Sequence, residues 1–538
     1  MQRSINSSFF LFIFAWTNLL LAQQKKDSLP DYIHILYADH AATSAKYPGK
    51  QLLSGSVKIE HNGALLFCDK AIVDKAKNLA IAVGHVDLQQ GDTLQMKAGF
   101  LKYDGNKSFA EAYDKVVLTD PKMTLKTDTL YFDRLQQQSY YTSGGTIIDS
   151  VNTLKSKIGK YFLNEKRFRF INNVHIDNPD YQLDSYQLDY FTNTGISNFF
   201  GPTKIYNEAS YIYAEKGHYD TQKKISWFVK NAFIKYRHTT IKGDSLYYDE
   251  QKKYATGNKH VVVFDSINKT WIFADYVQRW ASQDSIRASR KPLIVSVSKK
   301  DTLFMRARQF IAAGPEGKRQ LWAYPDVKFF SKDFSGRADS IYRSDVIKQM
   351  RLLKNPVIWS GKSQITGERI IIQNDSLNHL DSLLIPQNVF IIQKDSAGYN
   401  QIKGHKLLGK FKNNKLKTID IFGNTEVIYF LRENDGALTG IEKNKSSHIY
   451  LELDQGAISL LRLYEKPEGT IYPYSDFVKQ SQKFKGFNWR GAEQIKNKAA
   501  IIGEKQLLYK AETQQKSTYQ DEDMPLNKSP IKQEKLSK

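Results

Sequence analysis

The chain has one cysteine, Cys68, so no disulfide can form within it. Cys68 sits beside Asp69 at a strand start, where a packing role is expected rather than a nucleophilic one. Proline is sparse, at 14 residues, and no apolar run reaches the roughly 20 residues of a membrane-spanning helix. No glycine-rich phosphate loop, Gly-x-Ser-x-Gly or His-Glu-x-x-His occurs. His34, His40, His61 and His85 are the densest histidines. They lack metal-ligand spacing, so surface positions and no metal are expected. No window keeps a 3.6-residue apolar period, which argues against helices. These absences leave an enzyme without catalytic residues and give no cofactor a seat.

What the chain does have is repetition. The frame Asp-x-Leu-x-Tyr-Asp reads Asp244-Ser-Leu-Tyr-Tyr-Asp249, Asp128-Thr-Leu-Tyr-Phe-Asp133 and, more loosely, Gly99-Phe-Leu-Lys-Tyr-Asp104. Its central residues are Ala71, Leu101, Leu130, Gly159, Leu188, Gly217 and Leu246, spaced 30 residues once and then 29 five times. Ala41 precedes them, and Val277, Phe310, Ile341, Ile370 and Leu407 continue them at looser intervals. A fixed period of this size marks a stacked repeat. A second landmark follows about 14 residues after each anchor. It is a Gly/Asn turn before β-branched residues, as in Gly84-His-Val86, Asn172-Asn-Val174 and Gly423-Asn-Thr425. Two short Tyr/Phe/Val/Ile-rich strands per unit are expected, with rungs about 4.8 Å apart. The predicted fold is all-β, an elongated β-jellyroll or β-solenoid of stacked ~29-residue repeats.

Alternation places Asp244, Leu246 and Tyr248 on one face, with Ser245, Tyr247 and Asp249 on the other. Leu101, Tyr103, Leu130, Phe132, Leu188, Tyr190, Leu246 and Tyr248 should therefore line the interior in parallel ladders. Gly159 and Gly217 interrupt the ladders. The interior is either an ordinary packed core or a groove for acyl chains in which the glycines make room. The aspartates recur at a structural period, which suits turns and strand edges better than acid–base catalysis.

The formal net charge is +22, so an anionic partner is expected: nucleic acid, a membrane surface or a phosphorylated lipid. Residues 1–22 resemble a secretory signal peptide, with Arg3 before the apolar stretch Phe9–Leu21 and Ala22 before the cut. A polar leader, 23–32, precedes regular repeats over 33–280 and less regular repeats over 281–474. The insertions Ser282–Pro292 and Ala312–Arg319 read as loops. Residues 475–538 carry 13 Lys/Arg against 8 Asp/Glu and are expected to be a basic, largely disordered tail.

Ala38-Asp-His-Ala41, Gly55-Ser-Val57, Asn355-Pro-Val-Ile-Trp359, Pro467-Glu-Gly-Thr-Ile-Tyr-Pro473 and the repeated frame together resemble the OstA-like family in its large stand-alone form. Its fold is the organic-solvent-tolerance N-terminal domain. The resemblance spans about residues 33–490. It implies a β-jellyroll in the periplasm, associated with the outer membrane, that carries lipopolysaccharide with its acyl chains in an apolar groove. It also implies end-to-end joining with other β-jellyroll transport components and an outer-membrane transport barrel, with no nucleic acid and no catalysis. Two other readings follow from the residues alone. One is a structural or adhesive β-solenoid with a basic surface for anionic polysaccharide. The other is a polysaccharide-processing β-helix enzyme, which would need a carboxylate cluster on one outer face.

Overall fold

The computed structural model describes residues 32–503 apart from 92–93, 209, 299–300, 316, 378, 434 and 480–481. The expected signal segment and almost all of the polar leader lie outside the described residues. The described chain is nearly all antiparallel strand, as the repeat predicts. It forms two compact units, Met1–Gly145 and Thr146–Lys538.

In the first unit the strands Ala64–Asp74, Leu79–Gln90, Leu94–Asp104, Phe109–Asp120 and Met123–Asp133 each pair with the next. One 29-residue period therefore holds two long strands. It advances the sheet by two spacings of about 4.8 Å. The second landmark is a bend inside a strand and not a turn between two. At Gly84 and His85 the backbone takes φ of 77° and 39°, and the register skips from Val83 to Val86. The same left-handed pair occurs at Asp114/Lys115. In the second unit it recurs at Asn172/Asn173, Lys230/Asn231 and Lys259/His260.

A left-handed non-glycine residue costs about 1–2 kcal/mol, and the bends carry side-chain contacts that offset this. Asp69 meets His85 Nδ1 at 2.8 Å, and Asp244 meets His260 Nδ1 at 2.9 Å. Glu215 pairs with Lys230 at 2.7 Å. At Gly84 a Cβ would press on the Asp69 carboxylate and displace it from His85.

The bend divides every long strand into two halves. One half carries the Leu-x-Tyr-Asp frame; the other lies on the far side of the bend and faces it. Beyond Trp280 in the second unit the halves become separate strands. Ser285–Ser289 continues the frame half and Leu293–Val297 the facing half, joined through Arg290 and Lys291 at φ 60° and 61°. Ser282–Pro292, expected as a loop, is thus a strand and its bend. Hairpins then alternate between the two halves, with Thr302–Arg306 pairing Val327–Phe330 on one side and Gln309–Ala313 pairing Gln320–Tyr324 on the other.

Strict alternation fails at the bend. In Thr239–Asp249 the inward residues are Ile241 and Gly243, then Leu246 and Tyr248, a step of three across the bulge. Asp244 is accordingly exposed and does not share the face of Leu246. The closing aspartates of the frame serve the turns: Asp104, Asp133 and Asp249 accept the backbone N–H of Lys107, Gln136 and Lys252 at 3.2, 2.9 and 2.9 Å.

Residues 475–503 also depart from expectation. Instead of a loose tail, they form a strap across the outer surface of the facing half in the second unit. Ile495, Ile501 and Ile502 pack with Val262, Phe273, Leu293, Val295 and Phe304, and Phe477 packs with Ile428, Phe430 and Ile441. The rest of the expected tail, from 504 onward, lies outside the described residues.

Candidate functional site: the interior and its mouth

The inward face is built by register. In the first unit Leu101 lies between Ala82 and Ala112, and Leu130 pairs with Ala112. Large and small residues alternate, so neighbouring side chains interlock. Leu101, Leu130, Phe132 and Tyr103 are all buried. In the second unit Leu188 pairs with Phe170 and Phe199, and Leu246 with Phe228 and Gly257. Val277, Phe310 and Ile341, anchors from the irregular stretch, are buried on the same face. Tyr190 and Tyr248 are half-buried nearer the free ends of the two halves. Leu101, Tyr103, Leu130, Phe132, Leu188 and Leu246 are thus buried, and Tyr190 and Tyr248 half-buried, on the inward face.

The structure also bears on whether that interior is open. A Cβ at Gly217 would overlap the ring of Phe199, so the room left by this glycine is filled by a neighbour. In the first unit, Leu88, Leu94, Met96 and Leu118 on the facing half approach Leu130 and Phe132 on the frame half around a crevice of about 10 Å³. That is the lower limit for a single water molecule. Here the interior is a packed core.

The halves are joined along the bends. At their free ends, which form a mouth, side chains close the gap. In the first unit Tyr103 Oη lies 2.6 Å from His61 Nδ1. Arg134, in the turn after the frame, reaches the opposite hairpin and donates to the carbonyls of His61 at 3.1 Å and Asn62 at 2.8 Å. His61, expected at the surface, is 3% exposed. Among the other three histidines, His34, His40 and His85 are exposed. In the second unit Tyr181 meets Tyr219 edge-on, with centroids 6.4 Å apart. Arg319 pairs with Asp265 at 2.5 Å. Burial pushes the Tyr219 phenol up to about 12 and also raises Tyr190 and Tyr248. These hydroxyls keep their protons and can donate hydrogen bonds at the mouth.

Arg134, Arg319 and the Tyr181–Tyr219 contact were not legible in the sequence, because each joins residues far apart in the chain. Removing the first has a measurable cost. Arg134→Ala should lower unfolding stability by about 1.5–3 kcal/mol, the range for hydrogen bonds to a charged group. It should also speed amide exchange in the 61–64 hairpin above that in the rest of the unit. Unchanged exchange there would show that Arg134 does not hold the mouth closed.

Burial pushes the Cys68 thiol up to about 11, which agrees with a packing role. Among the described residues no three of His, Cys, Asp and Glu gather as metal ligands would, and no helix is long and apolar enough to cross a membrane. The exposed outer strands lie at the ends of the strand succession. In the first unit, His34–Tyr37 and His40–Ser44 pair only with Tyr47–His61 among the described residues. In the second unit, Ala457–Tyr464 and Glu468–Tyr472 pair only with Leu438–Asp454 among the described residues.

No curated protein matches the chain. The OstA-like protein family, which is generally involved in lipopolysaccharide transport, matches residues 31–186. That span covers the bent strands and apolar ladder of the first unit, the Arg134 clasp and the first strands of the second unit. Residues 31–186 are therefore an OstA-like region, as the repeated frame implied.

Proposed function

We propose that the chain is an exported, periplasmic lipopolysaccharide-binding protein that serves outer-membrane assembly and takes acyl chains between the two halves of its bent strands. The observation that carries this reading is the form of the interior. It is lined from repeat to repeat by apolar side chains, and in the first unit its mouth is closed by side chains such as Arg134, which reaches the carbonyls of His61 and Asn62. A packed interior of this kind takes a chain only by parting at the mouth, so the lipid-bound state is a minor conformation that ligand makes dominant. The one-sided outer strands suit β-augmentation by like-folded partners, including an outer-membrane transport barrel.

The packing itself favours a second reading, a structural stack with a dry core and a basic surface for anionic polysaccharide. A photo-crosslinker placed at Tyr248, and in a separate variant at Tyr247, separates the two. Tyr248 faces inward; Tyr247 lies outside against Trp227, with centroids 5.0 Å apart. In living cells lipid adducts should form at Tyr248 and be scarce at Tyr247. Equal labelling at both positions, or none at either, removes the transport reading and leaves the structural one.

A further inference from the structure

The position two residues after each anchor faces the interior near the mouth. It is Tyr103, Phe132, Tyr161, Tyr190, Tyr219 and Tyr248 in successive repeats, and then Arg279. The register keeps Arg279 in that row, opposite Ala255 and Ile286, just as Val277 stays opposite Gly257 and Ala288. A charge thus stands where the repeat calls for an aromatic ring.

The cation is poorly compensated. Burial is the main influence on the Arg279 guanidinium and lowers its pKa, with only a partial return from Asp284. No carboxylate lies within ion-pair distance of it among the described residues. Arg343, two residues after the anchor Ile341, does have one, Asp345 at 3.4 Å. Arg319, whose charge acts on Arg279, is taken up by Asp265. Both Arg279 and Arg237 lie over the Tyr236 ring, at 5.9 and 5.4 Å. A desolvated charge without a carboxylate partner costs stability. Selection for stability alone would favour the tyrosine of the earlier repeats.

We propose that Arg279 is the seat of a phosphate group at the mouth of the interior. Arg237 and Arg319 add positive field around it, and the Tyr236 and Tyr248 hydroxyls stand by as donors. A guanidinium offers a phosphate two parallel N–H donors, and three arginines against Asp265 and Asp284 leave the local charge positive. The phosphate is either that of a lipid headgroup or free phosphate. The lipid case rests on the reading that the interior takes acyl chains, which would then extend from Arg279 inward past Val277.

The test measures the affinity of the full chain for lipid A bisphosphate and for its dephosphorylated form, and the melting temperature in inorganic phosphate alone. Each is repeated with Arg279→Met. The intact protein should bind the bisphosphate at least tenfold more tightly than the dephosphorylated lipid, and Arg279→Met should erase that difference. Without ligand, Arg279→Met should melt no lower than the unaltered protein, because it removes a desolvated charge. Stabilisation of the unaltered protein by inorganic phosphate alone, absent in Arg279→Met, supports the seat and assigns it to free phosphate, even if neither lipid binds. Equal binding of the two lipids with no response to phosphate overturns the seat while the lipid reading stands. Binding of no lipid and no phosphate overturns both. A preference for the bisphosphate that persists undiminished in Arg279→Met overturns the seat, and equal binding of the two lipids by the unaltered protein overturns it even if Arg279→Met does not fold.

Discussion

Leu188→Asp should unfold its part of the second unit at neutral pH rather than yield a folded protein with a blocked interior. Leu188 is fully buried, between Phe170 on one neighbouring strand and Phe199 on the other. Truncating a buried leucine to alanine costs about 2–5 kcal/mol. A carboxylate adds the cost of desolvating its charge, so the loss rivals the 5–15 kcal/mol that holds a typical domain. The pH dependence carries the sign of a buried acid. The introduced carboxyl would have a folded-state pKa raised above its unfolded value of about 3.9. Its electrostatic penalty is then largest at neutral pH and falls away as the pH drops toward that value. Denaturant unfolding followed by circular dichroism should show a large deficit at pH 7.5 that narrows at pH 4.5. The companion Leu188→Ala should fall in the lower range at both pH values. If Leu188→Asp keeps the unaltered midpoint, the interior at this level admits water and is an open groove, contrary to the packing described.

A chain ending at residue 473 should fold poorly and bind a hydrophobic dye, whereas a chain ending at 503 should behave like the full chain. The strap buries Phe477, Ile495, Ile501 and Ile502, each contributing about 1.5–3 kcal/mol as an upper estimate. It also covers the apolar surface of Val262, Leu293, Val295 and Phe304, which would become an exposed apolar patch. Its course is specified by polar contacts. Gln364 accepts from the Arg490 N–H at 2.7 Å and donates to the Asn488 carbonyl at 2.7 Å. Gln401 does the same with the Phe484 N–H at 3.0 Å and the Gln482 carbonyl at 2.8 Å. Both glutamines are fully buried, so each reads the strap's backbone as a neighbouring strand would. Arg337 and Arg490 close on Glu493 at 2.9 and 2.8 Å, and their fields hold its carboxyl below the usual range. Equal melting of the two truncated chains would show the strap to be an ornament on a surface stable without it.

The strap was misread from sequence for a physical reason. Its apolar residues are spread among lysines and glutamines at no helical or strand period, so composition alone resembles a disordered tail. Only the apolar outer surface of the facing half, assembled from strands some 190 to 240 residues earlier in the chain, makes those few isoleucines sufficient.

The sequence by itself determined the period and the inward face. A residue stacked against equivalents from neighbouring repeats must be apolar each time it returns, so Ala71 through Leu246 could be aligned without a structure. The looser anchors Val277, Phe310 and Ile341 fell on the same buried face. The bend, by contrast, was hidden, because two left-handed residues such as Asn172 and Asn173 have the composition of a hairpin turn. Whether the chain reverses or continues there depends on the pairing of the whole strand. Tertiary structure alone decided that Phe199 fills the space at Gly217 and that Arg134 reaches a hairpin 72 and 73 residues away. It also left Arg279 inside without a carboxylate. Local patterning sets which face a side chain takes, but what it meets there is set by the register and bending of strands distant in sequence.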